Sequence, residues 1–287
     1  MTDDNDQTLS IASLHLYPVK SCGGIDVEQA QLIDTGFEFD RQWMVVDDKG
    51  EFLSQRQLPR MALVAPKLRS SDVVLRAPGM LALHLQLDAV EAPCHVKVWN
   101  DTVAAFDMGN LAAQWFSDFL GRPARLARFD PDARRLASAQ WTGAVEARTA
   151  FSDGFPILVA STASLAELNR RLSAAGQERV TMRRFRPNLV LDGPLDPHGE
   201  DFIDTLTIDS PDGEVVLKLV KPCGRCAIPD VNPATAEQGH SVTDAMAAYR
   251  AEPRIDGALA FGQNAIVVSG FEQRMRVGAR VRTQIAF

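Results

Sequence analysis

Several features that would mark other kinds of protein are scarce or missing in this sequence. It has only four cysteines, Cys22, Cys94, Cys223 and Cys226, and only the last two lie close together. A stapled, disulfide-dependent scaffold is therefore not expected. No apolar run approaches the roughly 20 residues that a helix needs to cross a bilayer. Basic charge is in deficit, with 30 Lys and Arg against 37 Asp and Glu and a net charge of −7. That balance argues against broad nucleic-acid binding, which requires a basic face. The opening MTDDNDQTLS is acidic and polar, the reverse of a signal or transit peptide. The expectation is a cytoplasmic protein with reduced thiols and no membrane attachment. Internal repeats and low-complexity segments are also missing.

What is present is a soluble globular composition, 46% hydrophobic and 23% charged, in 287 residues, enough for one large or two ordinary domains. Short runs rich in Val, Leu and Phe alternate with turn signals, which favours strands. Residues 41–56, RQWMVVDDKGEFLSQR, read as a hairpin with Gly50 suited to a positive φ. Residues 96–106 read as a second hairpin around Asn100 and Asp101. Three helices are expected. Asn110 would cap the first and bury Leu111, Trp115, Phe116 and Phe119. The second, 164–172, would open on a capping box of Ser164 and Glu167, and the third spans 243–250. The charged, weakly periodic stretch 128–150 is the candidate boundary. The fold class is α+β, mainly β, with barrel-like sheet.

The chemistry centres on KPCGRCAIPD, 221–230, two thiols three positions apart beside two cations. A structural zinc site would need a second ligand pair, and the five histidines (15, 84, 95, 198 and 240) form no H-x₃-H spacing. A redox dithiol would place the first cysteine at a helix N-terminus, which Pro229 and Pro233 oppose. The third reading is a single thiolate on a soft metal, ionised by Lys221 and Arg225, with the remaining donors supplied by a cofactor. That reading needs an anion-binding pocket. PVKSCGG (18–24) offers Lys20, Ser21 and two glycines, and Arg41 opens a strand. Ser161, Thr162 and Ser164 sit at a helix start, and RRFRPNLV adds Arg186 and Asn188.

Taken in order, LYPVKSCGG, FDRQWMVVD, ILVASTASLAELNRRL, FRPNLVL, KPCGRCAIPDVNPATAE and FGQNAIV resemble the MOSC-domain proteins, in the branch of the mitochondrial amidoxime-reducing component and its bacterial relatives. The likeness runs from about residue 10 to the end. It implies an N-terminal MOSC-associated β-barrel-like domain (8–130), a MOSC β-barrel (131–287) and a molybdenum–molybdopterin cofactor between them. Cys226 would be the molybdenum ligand. Lys20, Ser21, Arg41, Arg186, Asn188 and Arg225 would hold the pterin and its phosphate, with Ser161 and Thr162 as further contacts. Cys223 has no ligand role by this likeness. Relatives often read V-D-P where this chain has Val231-Asn232-Pro233, so Asp230 becomes the nearest acid and the candidate catalytic proton donor.

The resemblance further implies reduction of small N-hydroxylated compounds: amidoximes, hydroxylamines and N-hydroxylated nucleobases. Some bacterial relatives append an iron–sulfur domain, whereas this sequence ends at RVRTQIAF. Electrons would then come from an external ferredoxin- or cytochrome-like protein with its reductase. Arg183, Arg184 and Arg225 are candidates for the docking patch, and a monomer is expected. The alternative function is a molybdopterin-binding or sulfur-carrier protein that does not turn over substrate.

Overall fold

A computed structural model of the protein describes residues 8–286. Residues 1–7 of the acidic opening, and Phe287, lie outside the described residues.

Seven strands close a barrel: β1 (Leu9–Leu16), β2 (Ile157–Ser161), β3 (Leu189–Asp192), β4 (Ile203–Ser210), β5 (Gly213–Gly224), β6 (Ala258–Ser269) and β7 (Arg280–Ile285). Their order around the barrel is β2-β3-β1-β7-β4-β5-β6, and β6 pairs back onto β2. Every pairing is antiparallel except β2–β3. A parallel neighbour needs a crossover rather than a tight turn, and helix α2 (Thr162–Ala174) makes it. The period-two pattern of β5 shows why these residues form barrel wall. Val215, Leu217 and Leu219 point inward and are buried, while Val216, Lys218 and Val220 between them are only half-buried. They join Ile11, Leu14, Val159, Leu189, Leu206 and Val281 in one continuous core. Each such side chain contributes roughly 1.5–3 kcal/mol of burial.

Residues Gln29–Ile33 pair with Gly36–Phe37 and Arg274–Arg276 in a small three-stranded sheet, and the rest of the N-terminal half forms two further sheets. One has four strands, Trp43–Val46, Arg125–Phe129, Asp101–Asp107 and Ala92–Val98. The other has three, Ala65–Leu68, Asp72–Arg76 and Leu83–Gln86. Helix α1 (Gly109–Leu120) buries Trp115, Phe116 and Phe119 against them. The 41–56 hairpin turns at Gly50, with φ +75°. The second hairpin turns one residue earlier than expected, because Val98 faces Asp101 directly and Trp99 takes the left-handed φ of +57°.

Two helix starts also differ from expectation. Asn110 lies inside α1 and Leu111 is 75% exposed, because the helix begins at Gly109, whose N–H donates to Asp107 Oδ1 at 2.7 Å. Helix α2 begins one turn before the expected box. Ser161 is its N-cap and accepts from Ser164 N at 3.1 Å, while Glu167 pairs with Arg170 and Arg171 instead. The third helix, α3, spans Ser241–Ala247. Among the described residues no helix is long and apolar enough to cross a membrane.

Candidate functional site

At one end of the barrel, four loops meet the N-terminal sheets. The loop after β1 carries Tyr17 to Gly24, the turn before Trp43 carries Arg41, the segment 150–155 leads into β2, and 185–188 leads into β3. With the end of β5 they surround a cleft of about 820 Å³, counting space open to solvent. Five cations line it, Lys20, Arg41, Arg56, Arg186 and Arg225, against one carboxylate, Asp153. In a protein of net charge −7 this is a local reversal of sign, and it fits an anionic ligand.

The backbone is bent to aim these groups. Ser21, Arg41 and Arg186 all hold left-handed φ values, +63°, +51° and +58°. Each such residue costs on the order of 1 kcal/mol relative to ordinary backbone, and such strain clusters at binding sites. Tyr17 lies between two of the cations, with the Arg41 and Arg186 guanidiniums 4.4 and 4.3 Å from its ring centroid. Burial pushes the Tyr17 hydroxyl up to about 12, so it stays protonated. Arg186 donates to Cys22 O at 2.5 Å, and Arg41 donates to Arg186 O at 3.1 Å and pairs with buried Asp40. Burial and then the neighbouring Arg41 bring Arg186 down to about 10, still cationic at neutral pH.

Lys20 is buried and donates to Phe151 O at 2.8 Å and Asp153 Oδ1 at 2.5 Å. Burial lowers its pKa while Asp153 pulls the other way. The loop that supplies both partners is held from beneath by Arg135, which donates to Ala150 O and Ser152 O at 2.8 and 2.6 Å and pairs with Asp101. Asn188 forms part of the cleft floor, but its amide is largely committed. The oxygen accepts from Leu158 N at 3.1 Å and the nitrogen donates to His15 O at 3.2 Å, which fixes β1, β2 and β3 together.

The thiols divide clearly. Cys22 is buried, and burial pushes it to about 12, an inert thiol. Cys223 ends β5 half-buried and accepts from Arg225 Nη1 at 3.0 Å. Cys226 is free and exposed at the cleft rim. Arg225 donates its other amino group to Phe185 O at 2.7 Å, and its buried Nε has no partner. Among the described residues no group of three or more His, Cys, Asp or Glu is placed to hold a metal ion. A metal bonded to Cys226 would therefore need non-protein donors. The orphaned Arg225 Nε and the excess of cations suit an anionic organic ligand that brings them.

Seven of the ten expected site residues are thus brought together: Lys20, Ser21, Arg41, Arg186, Asn188, Arg225 and Cys226. The other three are not. Ser161 and Thr162 sit at the far end of β2 from Leu158, which lines the cleft. Ser161 and Ser164 donate to the buried carboxylate of Glu200 at 2.7–2.8 Å, and Thr162 donates to Asp192. With Ser161 capping α2 and Glu200 already beside it, that helix start is not an anion site facing the cleft. Asp230 also turns away. It is buried, and its carboxylate accepts from Val242 N at 2.9 Å, Thr243 N at 3.2 Å and the Thr243 hydroxyl, so it caps α3. Reading the sequence missed Arg56, Ser152 and Asp153. The turn signal in FSDGF marks the last two, but Arg56 carries no local signal. It is placed by stacking over Trp99, 4.5 Å from the ring centroid.

The fold and cleft define a two-part β protein with a cation-lined cleft beside a free thiol. Residues 8–123 match the MOSC N-terminal beta barrel domain and residues 146–282 match the MOSC domain. The chain is 34% identical over 238 residues to human mitochondrial amidoxime-reducing component 1, spanning 80% of this chain and 68% of that protein. It is 28% identical over 250 residues to human molybdenum cofactor sulfurase, spanning 81% of this chain and 28% of that protein. A crystal structure of the YUAD protein from Bacillus subtilis spans 99% of both chains at 11% identity and a TM-score of 0.46. The chain belongs to the MOSC family and has both the N-terminal barrel domain and the MOSC domain.

Proposed function

We propose that the cleft binds molybdenum–molybdopterin and that the protein reduces N-hydroxylated compounds with electrons from an external redox protein. One observation carries the reading: a free, exposed thiol, Cys226, on the rim of a cleft with five cations and one carboxylate. The family relation to an amidoxime-reducing component supports it. When bound, the cofactor supplies two-electron redox chemistry with oxygen-atom acceptance, which cleaves an N–O bond.

The chain's own residues bind and orient. The Cys226 thiolate is the protein's donor to the metal. Arg41, Arg186 and Arg225 present planar guanidinium forks suited to phosphate, and Ser21 adds a hydroxyl. Lys20, tied to Asp153, adds a fixed positive charge at the cleft wall. The buried Asn188 amide keeps the floor rigid. The half-buried Cys223 serves as acceptor for Arg225 and so orients that guanidinium rather than ligating metal. The rim is open at Cys226, so substrate and the protons consumed at nitrogen and oxygen arrive from solvent. Asp230, committed to α3, is not the proton donor in this scheme.

Protein made in a host that synthesises the cofactor should contain molybdenum and pterin in equal amounts. After reduction with dithionite it should convert benzamidoxime to benzamidine. Full cofactor content without turnover would refute the reductase and favour a carrier. That second reading draws on the same exposed thiol, which could bear sulfane sulfur, and on the relation to molybdenum cofactor sulfurase.

A further inference from the structure

Resting on the reductase reading, the geometry points to a second cleft as the binding site for an anionic group on the substrate: a phosphate or carboxylate remote from the N–O bond. This cleft, of about 810 Å³ counting space open to solvent, adjoins the first and shares Arg186 and Ile228 with it. Arg183, Arg184 and Arg186 line it and, among the described residues, no carboxylate does. The loop that starts at Cys226 borders both spaces. Ile228 is common to the two clefts, and Val231, Pro233 and Ala234 form wall of the second. A substrate could therefore lie across the loop, with its reacting end at Cys226 and its charge among the arginines.

Arg183 and Arg184 can turn to such a group, whereas Arg186 already serves the first cleft. Arg184 gives one amino group to Pro229 O at 3.0 Å and, among the described residues, makes no ion pair with a carboxylate. Arg183 pairs with Asp26 at 2.5 Å, but both side chains are more than half exposed, and such pairs exchange easily. Asp26 has a second partner in His15 at 2.8 Å, so releasing Arg183 does not leave that carboxylate alone. Much of the remaining wall is apolar, including Ala62, Leu63 and Pro78, and suits a flat, uncharged body between the two ends. The favoured substrates are N-hydroxylated nucleotides or acid-bearing amidoximes over their neutral counterparts.

The test uses the dithionite-reduced, cofactor-loaded full chain, so that no protein donor takes part. N-hydroxycytidine is compared with its monophosphate, and benzamidoxime with para-carboxybenzamidoxime. In each pair KM should be about tenfold lower for the charged member, the order of one charge-assisted contact. A gain confined to one pair identifies phosphate or carboxylate as the group recognised. R183Q, at an exposed position, and Arg184→Lys, which keeps charge but loses the fork, should collapse the ratio toward one. Calorimetric binding of cytidine monophosphate to the holoprotein should weaken by a similar factor in both variants, and this readout does not depend on turnover. If no N-hydroxylated compound turns over yet the nucleotide binds through these arginines, the reductase reading fails and the anion cleft stands. Equal KM values within both pairs, or no nucleotide binding, would overturn it. So would a variant that loses molybdenum and pterin, since the cleft would then hold cofactor. A variant that keeps its ratio under dithionite but is slowed in a separate assay driven by ferredoxin and its reductase would assign the arginines to docking instead.

Discussion

Replacing Asp230 with alanine should destabilise the protein without touching its chemistry. The carboxylate is 5% exposed and accepts three hydrogen bonds from the first turn of α3. Removing it strips the cap from two backbone N–H groups and from the Thr243 hydroxyl, in a place that water reaches poorly. Loss of a capping side chain costs about 0.5–2 kcal/mol. A charge-assisted hydrogen bond lost in a buried site costs about 1.5–3 kcal/mol. The contributions overlap because all three bonds share one carboxylate, so the sum is about 2–4 kcal/mol. At roughly 3 °C per kcal/mol for a chain of this size, Tm should fall by about 6–12 °C. Scanning calorimetry would measure it, alongside the molybdenum content and benzamidoxime turnover of the variant at 20 °C below its own Tm. An unchanged Tm with abolished turnover would refute this reasoning and return Asp230 to the reaction. Asp230→Asn, which keeps one acceptor oxygen, should recover part of the lost stability.

Cys226→Ala should lose bound molybdenum and all benzamidoxime reduction while Tm of the apoprotein stays within about 1 °C, since an exposed thiol packs against little; retained turnover would remove it as the metal ligand. Gly24→Ala would place a methyl 2.5 Å from Tyr17 Cε1, and that ring is wedged between two guanidiniums and cannot retreat. Overpacking of this kind costs about 1–3 kcal/mol, and pterin content measured by fluorescence should fall with it. His198 is buried, and burial followed by the nearby Arg250 lowers its pKa to about 4 from 6.5. Because the folded value is depressed, the neutral ring is favoured in the fold, and its contribution is complete above pH 6.5 and lost as pH falls toward 4. The loss is about 3 kcal/mol. His198→Asn, which tolerates the left-handed φ of +64°, should flatten the fall in unfolding free energy from urea titrations between those pH values by that amount.

The sequence made much of this legible, and for physical reasons. Period-two burial in EVVLKLV and the Asp-Asp-Lys-Gly turn are local signals, and local signals survive folding. The cluster at Lys20, Arg41, Arg186 and Cys226 was readable because each lies beside a turn or strand end, where the sequence shows how close the backbone can come. The failures share one cause, direction. Ser161 and Leu158 lie three residues apart on β2, at opposite ends of it, and only the barrel decides which end faces the cleft. Asp230 lies four residues from Cys226, yet the 3₁₀ turn at Ile228–Asp230 swings it beneath α3. Arg56 was invisible because its neighbours Phe52 and Trp99 come from different hairpins.

The place of β1 between β3 and β7 has a consequence for how the chain must be assembled. A boundary near residue 130 leaves this strand on the opposite side of the cut from the barrel it completes. The cylinder closes only when residues 9–16 meet residues 280–285, the two extremes of the described chain. On a ribosome, β1 must wait for β7, while everything between them folds as an excursion from an unfinished wall. Cutting the chain at its apparent linker would thus yield no autonomous halves, but a barrel with two raw edges, ready to pair with the same edges on its neighbours.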